Sequence, residues 1–277
     1  MKIRSRVTAA LCFSAVGVCL SLAQKPFREY IPMEGADSAA ALPADYQATA
    51  ELVLGRLMYP SAGGGGRGRG GGNWLNGGTN WTVDYPRGDR TFAIAIRRLT
   101  RIDVRSVEQP VNPDDEDLFF FPYMHAGMPT NWNFTDKQAT NVREYLLRGG
   151  FMLCDSFFGT QEWEGFLRGI RQIFPDREIV DLPADDPIFA TMFAIKERYQ
   201  VANFRSMLRN GNTYRADGKD PQWRGIRDDH GRVVVAINFN NDFGDSWQLA
   251  DDPRYPEKYS YLGIRQGLNY LLYAMTH

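Results

Sequence analysis

The chain has 277 residues, 43% of them hydrophobic, and a formal net charge of −1. That is enough apolar material for one large core, which excludes a mainly disordered chain, and the near-neutral balance excludes a global electrostatic bias toward nucleic acid or an anionic membrane. Three cysteines, two of them before residue 20, exclude a disulfide-stapled scaffold.

Lys2, Arg4 and Arg6 precede an apolar stretch from Val7 to Leu22 that ends in Ser21-Leu22-Ala23 before Gln24. Residues 1–23 therefore read as a secretory signal peptide with a small-x-small cleavage site. The stretch is short for a membrane span, and Val18 stands where a lipoprotein signal places a small residue before its cysteine, Cys19. The mature chain, from Gln24, is expected in the periplasm or outside the cell. It keeps only Cys154, whose position inside an apolar run argues for burial rather than reactivity. Residues 24–49 carry Pro26, Pro32 and Pro43 without periodicity and are expected to be a linker to a single domain over 50–277.

The domain opens with a strand-like run from Glu51 to Tyr59, ended by Pro60, and then a Gly-rich loop at 63–72 flanked by Trp74 and Trp81. The loop lacks the Gly-Lys-Ser/Thr of a phosphate loop and is followed by no helix start, so a surface loop is expected. Asp84 to Arg90 opens a helix that carries Phe92, Ile96 and Leu99 on one face, and Ile102 to Val107 alternates like a strand. The strongest unit comes next. Leu118 to Met124 reads as a buried strand, Thr135 and Gln138 form a capping box for a helix that stops at Gly149-Gly150, and Phe151 to Asp155 reads as the next strand. Strand, helix and strand in this order make a parallel sheet, because parallel strands need a crossover and are buried on both faces.

Beyond it, Thr160 begins a helix with Trp163, Phe166, Leu167, Ile170 and Phe174 at helical spacing, and Arg177 to Asp181 makes a short strand. Residues 183–225 show no period, and Asp242 and Asp245 resemble a sparse calcium loop whose spacing misses the regular pattern. Arg232 to Asn238 is a β-branched core strand, and the final helix places Ile264, Leu268, Leu271, Leu272 and Met275 on one side.

Open α/β sheets bind ligands outside the carboxyl ends of their strands. That rule nominates Asp84, Tyr85, Asp89 and Arg90 after the first strand, His125 after the third, Asp155 and Ser156 after the fourth, and Asn238, Asn240, Asp242 and Asp245 after the last. Each also has a plainer role open to it. His125 could cap a turn, Asp155 and Ser156 could satisfy backbone N–H groups, and Asp84 and Asp89 with Arg87 and Arg90 could be a surface salt network. A nucleophile on a strand-to-helix elbow needs small neighbours. Ser156 has Cys154 and Phe158 at those positions, and Cys154 has Met152 and Ser156.

Trp81 to Pro86 with Asp89-Arg90, Phe121 to His125, Glu144 to Phe151 with Asp155, Phe174-Pro175 with Glu178, Asp186 to Phe189 and Asn238 to Asp242 together resemble the bacterial domain of unknown function 4159 (DUF4159) family, from about residue 50 onward. The family resembles class I glutamine amidotransferase-like domains, which implies a flavodoxin-like, three-layer, mostly parallel sheet flanked by helices. It does not imply an activity, since Cys154 lies in the strand rather than on an elbow and no late His-Pro-Glu occurs. The association of family members with MoxR-type ATPases and von Willebrand A-like proteins implies an envelope-assembly role.

The leading expectation is a non-catalytic exported domain that binds a small molecule or envelope protein at Asp84, Tyr85, His125, Asp155, Ser156, Asn240 and Asp242, with no cofactor, no resident metal and no nucleic acid. The first alternative is a hydrolase on a carbohydrate or amide substrate with His125 as base and Asp155 orienting it, which requires the two within hydrogen-bond reach. The second is an envelope scaffold with an exposed apolar patch around Trp74, Trp81 and Trp223.

Overall fold

The apolar runs separate into strands because each is flanked by turn residues and is too short for a helix, and the periodic segments between them supply the crossovers. The computed structural model describes residues 25–61 and 73–277; the signal-like segment and the Gly-rich loop 63–72 lie outside the described residues. The strands are β1 (Gly55–Leu57), β2 (Gln109–Val111), β3 (Met124–Gly127), β4 (Met152–Asp155), β5 (Val180–Asp181), β6 (Gln222–Arg227) and β7 (Val233–Phe239). The helices are α1 (Arg87–Leu99), α2 (Asp136–Leu147), α3 (Gly159–Ile173), α4 (Phe204–Asn210), α5 (Phe243–Gln248) and α6 (Glu257–Thr276).

The strands form one seven-stranded sheet in the order β2-β1-β3-β4-β7-β6-β5. The run from β2 to β7 is parallel, and β6 and β5 close one side antiparallel. Apolar cores lie on both faces. Leu153 faces Phe92 and Ile96 of α1, Phe243 and Trp247 of α5, and Leu268 and Leu271 of α6. Its strand neighbours Met152 and Cys154 face Val142 and Leu146 of α2 and Phe166 and Ile170 of α3. This alternation is the period of two along a strand, and it makes a mostly parallel sheet covered by helices on both sides, an α/β architecture. The expected cap of α2 is present: Thr135 Oγ1 accepts from Gln138 N and Gln138 Oε1 accepts from Thr135 N.

Several expectations are corrected. Val104 makes only an isolated bridge to Leu52, and the strand lies at Gln109–Val111 instead. Pro110 is tolerated there because β2 is an edge strand and one side of it needs no N–H donors. The apolar run at 118–120 lies in a 3-10 turn, Glu116–Phe120, that turns Phe119 and Phe120 outward, which delays the strand to Met124–Gly127 and puts His125 inside it rather than after it. Within the period-free 183–225 stretch lie α4 and most of β6. Residues 25–48 are no free linker but pack along the domain. Lys25 pairs with Asp115 and Asp117, Glu29 with Arg90 and Asp45 with Arg97, and Ile31 bridges Gly77. Among the described residues no helix is long and apolar enough to cross a membrane.

Candidate functional site

The carboxyl edge of the parallel strands is where polar residues enter the interior. Register places Arg56 of β1 beside His125 of β3, and Gly127 of β3 beside Asp155 at the end of β4. Three non-glycine residues on the loops at this edge, Asp84, Ser156 and Asn240, have positive φ of 58°, 63° and 62°. Left-handed backbone at such residues is costly and concentrates where the surroundings fix a side chain's direction.

Arg56 is fully buried. Its Nε donates to the Trp81 carbonyl at 2.7 Å, one terminal nitrogen donates to the Val83 carbonyl, and the other bonds Asp89 at 2.8 Å and lies 3.3 Å from His125 Nδ1. A guanidinium only donates, so in the neutral ring Nδ1 facing it acts as an acceptor and Nε2 carries the proton toward Asp155 Oδ1, 2.5 Å away; in the imidazolium Nδ1 also carries a proton, with Asp89 Oδ1 3.9 Å from it. Trp247 meets the imidazole edge-on at 5.1 Å between ring centres. Burial pushes Asp89 up, but the Arg56 charge and then His125 outweigh it and hold its carboxyl below the usual range. Burial likewise works against imidazolium, and Asp155 with Asp89 outweighs it, so the His125 pKa is raised despite Arg56.

The other half is arranged differently. Asp155 Oδ2 accepts from Gly244 N at 2.9 Å and lies 3.2 Å from Ser156 Oγ. That hydroxyl is also 2.8 Å from Asp242 and 3.4 Å from Asp84, and it has one proton to share among three carboxylates. Asp242 also caps α5 through Asp245 N and accepts from Asn203 Nδ2, while Asp245 accepts from Phe204 N. Burial first, then neighbouring acids, raises Asp84 and Asp245 well above the usual range and Asp242 to about 6. Oxygens of Asp84, Asp242 and Asp245 lie within 4.8 Å of one another, a spacing that a hard cation with oxygen ligands could bridge.

Of the residues nominated from sequence, Asp84, Asp89, His125, Asp155, Ser156, Asp242 and Asp245 meet. Tyr85 borders them, its ring 5.9 Å from the Arg56 guanidinium and its hydroxyl accepting from Tyr30 N. Asn240 does not join; it holds Gly159 N and the Asp220 carbonyl at the start of α3. Asn238 is likewise elsewhere, bonded to Tyr270. Asp89 and Arg90 are buried rather than part of a surface network. Sequence reasoning missed Arg56, Asn203 and Glu34, whose carboxylate accepts from Asp84 N at 3.2 Å. Arg56 had a signal, a lone charge in an apolar strand, which implies a buried carboxylate partner. Trp81 and Trp223 are buried, so the expected apolar patch around them is not formed.

The model of the domain of unknown function DUF4159 matches residues 73–275. The chain belongs to this family. The matched region of this DUF4159 protein holds His125, Asp155, Ser156, Asp242 and Asp245, whereas Arg56 and Glu34 lie ahead of it. No curated protein matches the chain.

Proposed function

We propose that this DUF4159 protein is an exported, non-catalytic, glutamine amidotransferase-like domain that binds a small ligand or envelope protein through a cationic group at the carboxyl edge of its sheet. The observation that carries this reading is the surplus of buried carboxylates: Asp84, Asp155 and Asp242 share the one hydroxyl proton of Ser156. A buried charge without a partner is costly, so such a cluster is stabilised by protons or by a bound cation. The place also supports it. The parallel strands run 2-1-3-4-7, a flavodoxin-like order that reverses between β1 and β3, where ligands of doubly wound sheets bind.

Two features favour binding over catalysis. Both ring nitrogens of the buried His125 are engaged within the fold, Nε2 by Asp155 and Nδ1 by Arg56, so neither is presented to a substrate. Cys154 is buried in β4, and burial raises its thiol well above the ordinary value. The hydrolase reading keeps one supporting fact, the 2.5 Å contact of His125 with Asp155, and needs Arg56 to release Nδ1.

The test is a thermal-shift panel on the full chain with calcium, magnesium, spermine and a lysine-rich peptide. Stabilisation by a cationic probe that disappears in Asp242→Asn supports the reading. No shift with any of them, or equal shifts in the variant, rejects it.

A further inference from the structure

Asp84, Ser156, Asp242 and Asp245 are each at most 5% exposed. None lines the surface grooves at Trp163–Ile226, Phe119–Gly150 or Asp136–Asp176. A ligand reaches them only if a covering element moves. The sheet, α1, α5 and α6 are tied together by the apolar core around Phe92, Trp247 and Leu268, and α4 follows the buried Val201 and Ala202. Residues 25–48 are fastened in another way. Tyr30 packs against an apolar cluster, edge-on to Trp81, and Phe27 lies under the Arg90 and Arg105 guanidinium groups. The other ties are polar: ion pairs, Arg90 to the Ala40 and Ala41 carbonyls, Tyr30 N to the Tyr85 hydroxyl, and backbone bonds such as Ile31 N to the Asn76 carbonyl and Met33 N to the Thr82 carbonyl. Partly solvated ion pairs contribute little, and segments with few apolar contacts open locally.

The middle of this strap reaches the acidic edge through Glu34, whose side chain is 8% exposed. One carboxylate oxygen accepts from Asp84 N and from Ser38 Oγ, and the other pairs at 3.1 Å with Arg205, itself 61% exposed. A carboxylate thus closes over carboxylates, with Asp37 also within 3.8 Å of Arg205. Closing adds negative charge to a site that already has too much of it.

We propose that residues 25–48 form a lid over the acidic edge, with Glu34 as its latch and as a contact for the cationic ligand. The lid stays weakly closed without ligand because Glu34 is set against Asp84 and Asp245, and a cation between them holds it shut. This assignment rests on the binding reading above, but it is tested separately.

The experiment is hydrogen exchange on the full chain, comparing the Ile31 and Met33 amides with those of β7 in the same molecule. The strap amides are expected to exchange by local opening, far faster than β7. Glu34→Gln keeps an acceptor for Asp84 N but removes the charge, and should slow strap exchange about tenfold, the scale of one like-charge contact near a surface. Spermine or calcium should slow wild-type strap exchange in the same direction, with no effect of either in Asp242→Asn. Strap amides as slow as those of β7 would overturn the lid. Exchange accelerated by Glu34→Gln would show that the Arg205 pair, not repulsion, sets the closure, and would overturn the latch. A strap that opens but ignores every cation would refute the ligand contact and the binding reading, and leave the lid standing.

Discussion

The two halves of the carboxyl edge use the same residue types to opposite effect. Around Arg56, each charge has a counterpart: the guanidinium faces Asp89, two carbonyls and His125, and His125 faces Asp155. Around Ser156, Asp84, Asp242 and Asp245 share a single hydroxyl, one asparagine and a few backbone N–H groups. The first half is compensated and fixes the geometry; the second has fewer positive partners than carboxylates, and the proposed ligand is assigned to it. The contrast separates residues whose charges are matched inside the fold from the residues to which the proposed binding is assigned.

The largest effect should come from breaking the compensated half. Arg56→Met leaves Asp89 and the Trp81 and Val83 carbonyls buried without their donor, and should lower unfolding free energy by about 3–5 kcal/mol in urea denaturation. A loss under about 1 kcal/mol would mean that the network contributes little. In the uncompensated half the sign reverses. Asp242→Asn keeps an acceptor for Asp245 N and removes a charge that is buried among acids, so it should leave stability unchanged or raise it by about 1 kcal/mol. If it destabilises as much as Arg56→Met, the two halves are not different in kind. Thr135→Ala, outside both halves, should cost about 1 kcal/mol through the lost helix cap and calibrates the other two values.

The parts of this site that were legible in sequence follow from one rule, that polar residues after parallel strands gather at one edge. That rule reaches Asp84, Asp155, Ser156, Asp242 and Asp245, whereas His125 lies inside β3 and joins them from within the strand. It failed where the relevant signal was not periodic. Glu34 lies in a proline-containing segment held by ion pairs, backbone bonds and the isolated rings of Phe27 and Tyr30, which leave no hydrophobic period. Asn203 sits just before α4, and α4 and α5 are seven and six residues long, less than two turns each, too short for an apolar face to show. Hydrophobicity alone does not report burial in the apolar run at 118–120, where Leu118 is buried but Phe119 and Phe120 are exposed. The layered α/β architecture was easier, since the capped helix between two apolar runs admits few other arrangements.

Unfolding free energy measured from pH 5 to 8, for the wild type and Asp242→Asn, tests the account most directly. Asp242 has a folded-state pKa of about 6, above its unfolded value of about 4, so the folded state holds more protons and stability falls as pH rises through that window. Glu108, raised to about 7 mainly by burial and then by Asp89, acts in the same direction. So does His125, whose raised pKa gives stability that is full below its unfolded value and lost as pH rises through its folded one. Asp89, held low mainly by Arg56 against burial, loses its contribution only in stronger acid, as pH falls through its folded value. The wild type should therefore lose stability between pH 5 and 8, and Asp242→Asn should lose visibly less. A wild-type stability that is flat or rises over this range would contradict an uncompensated acidic half.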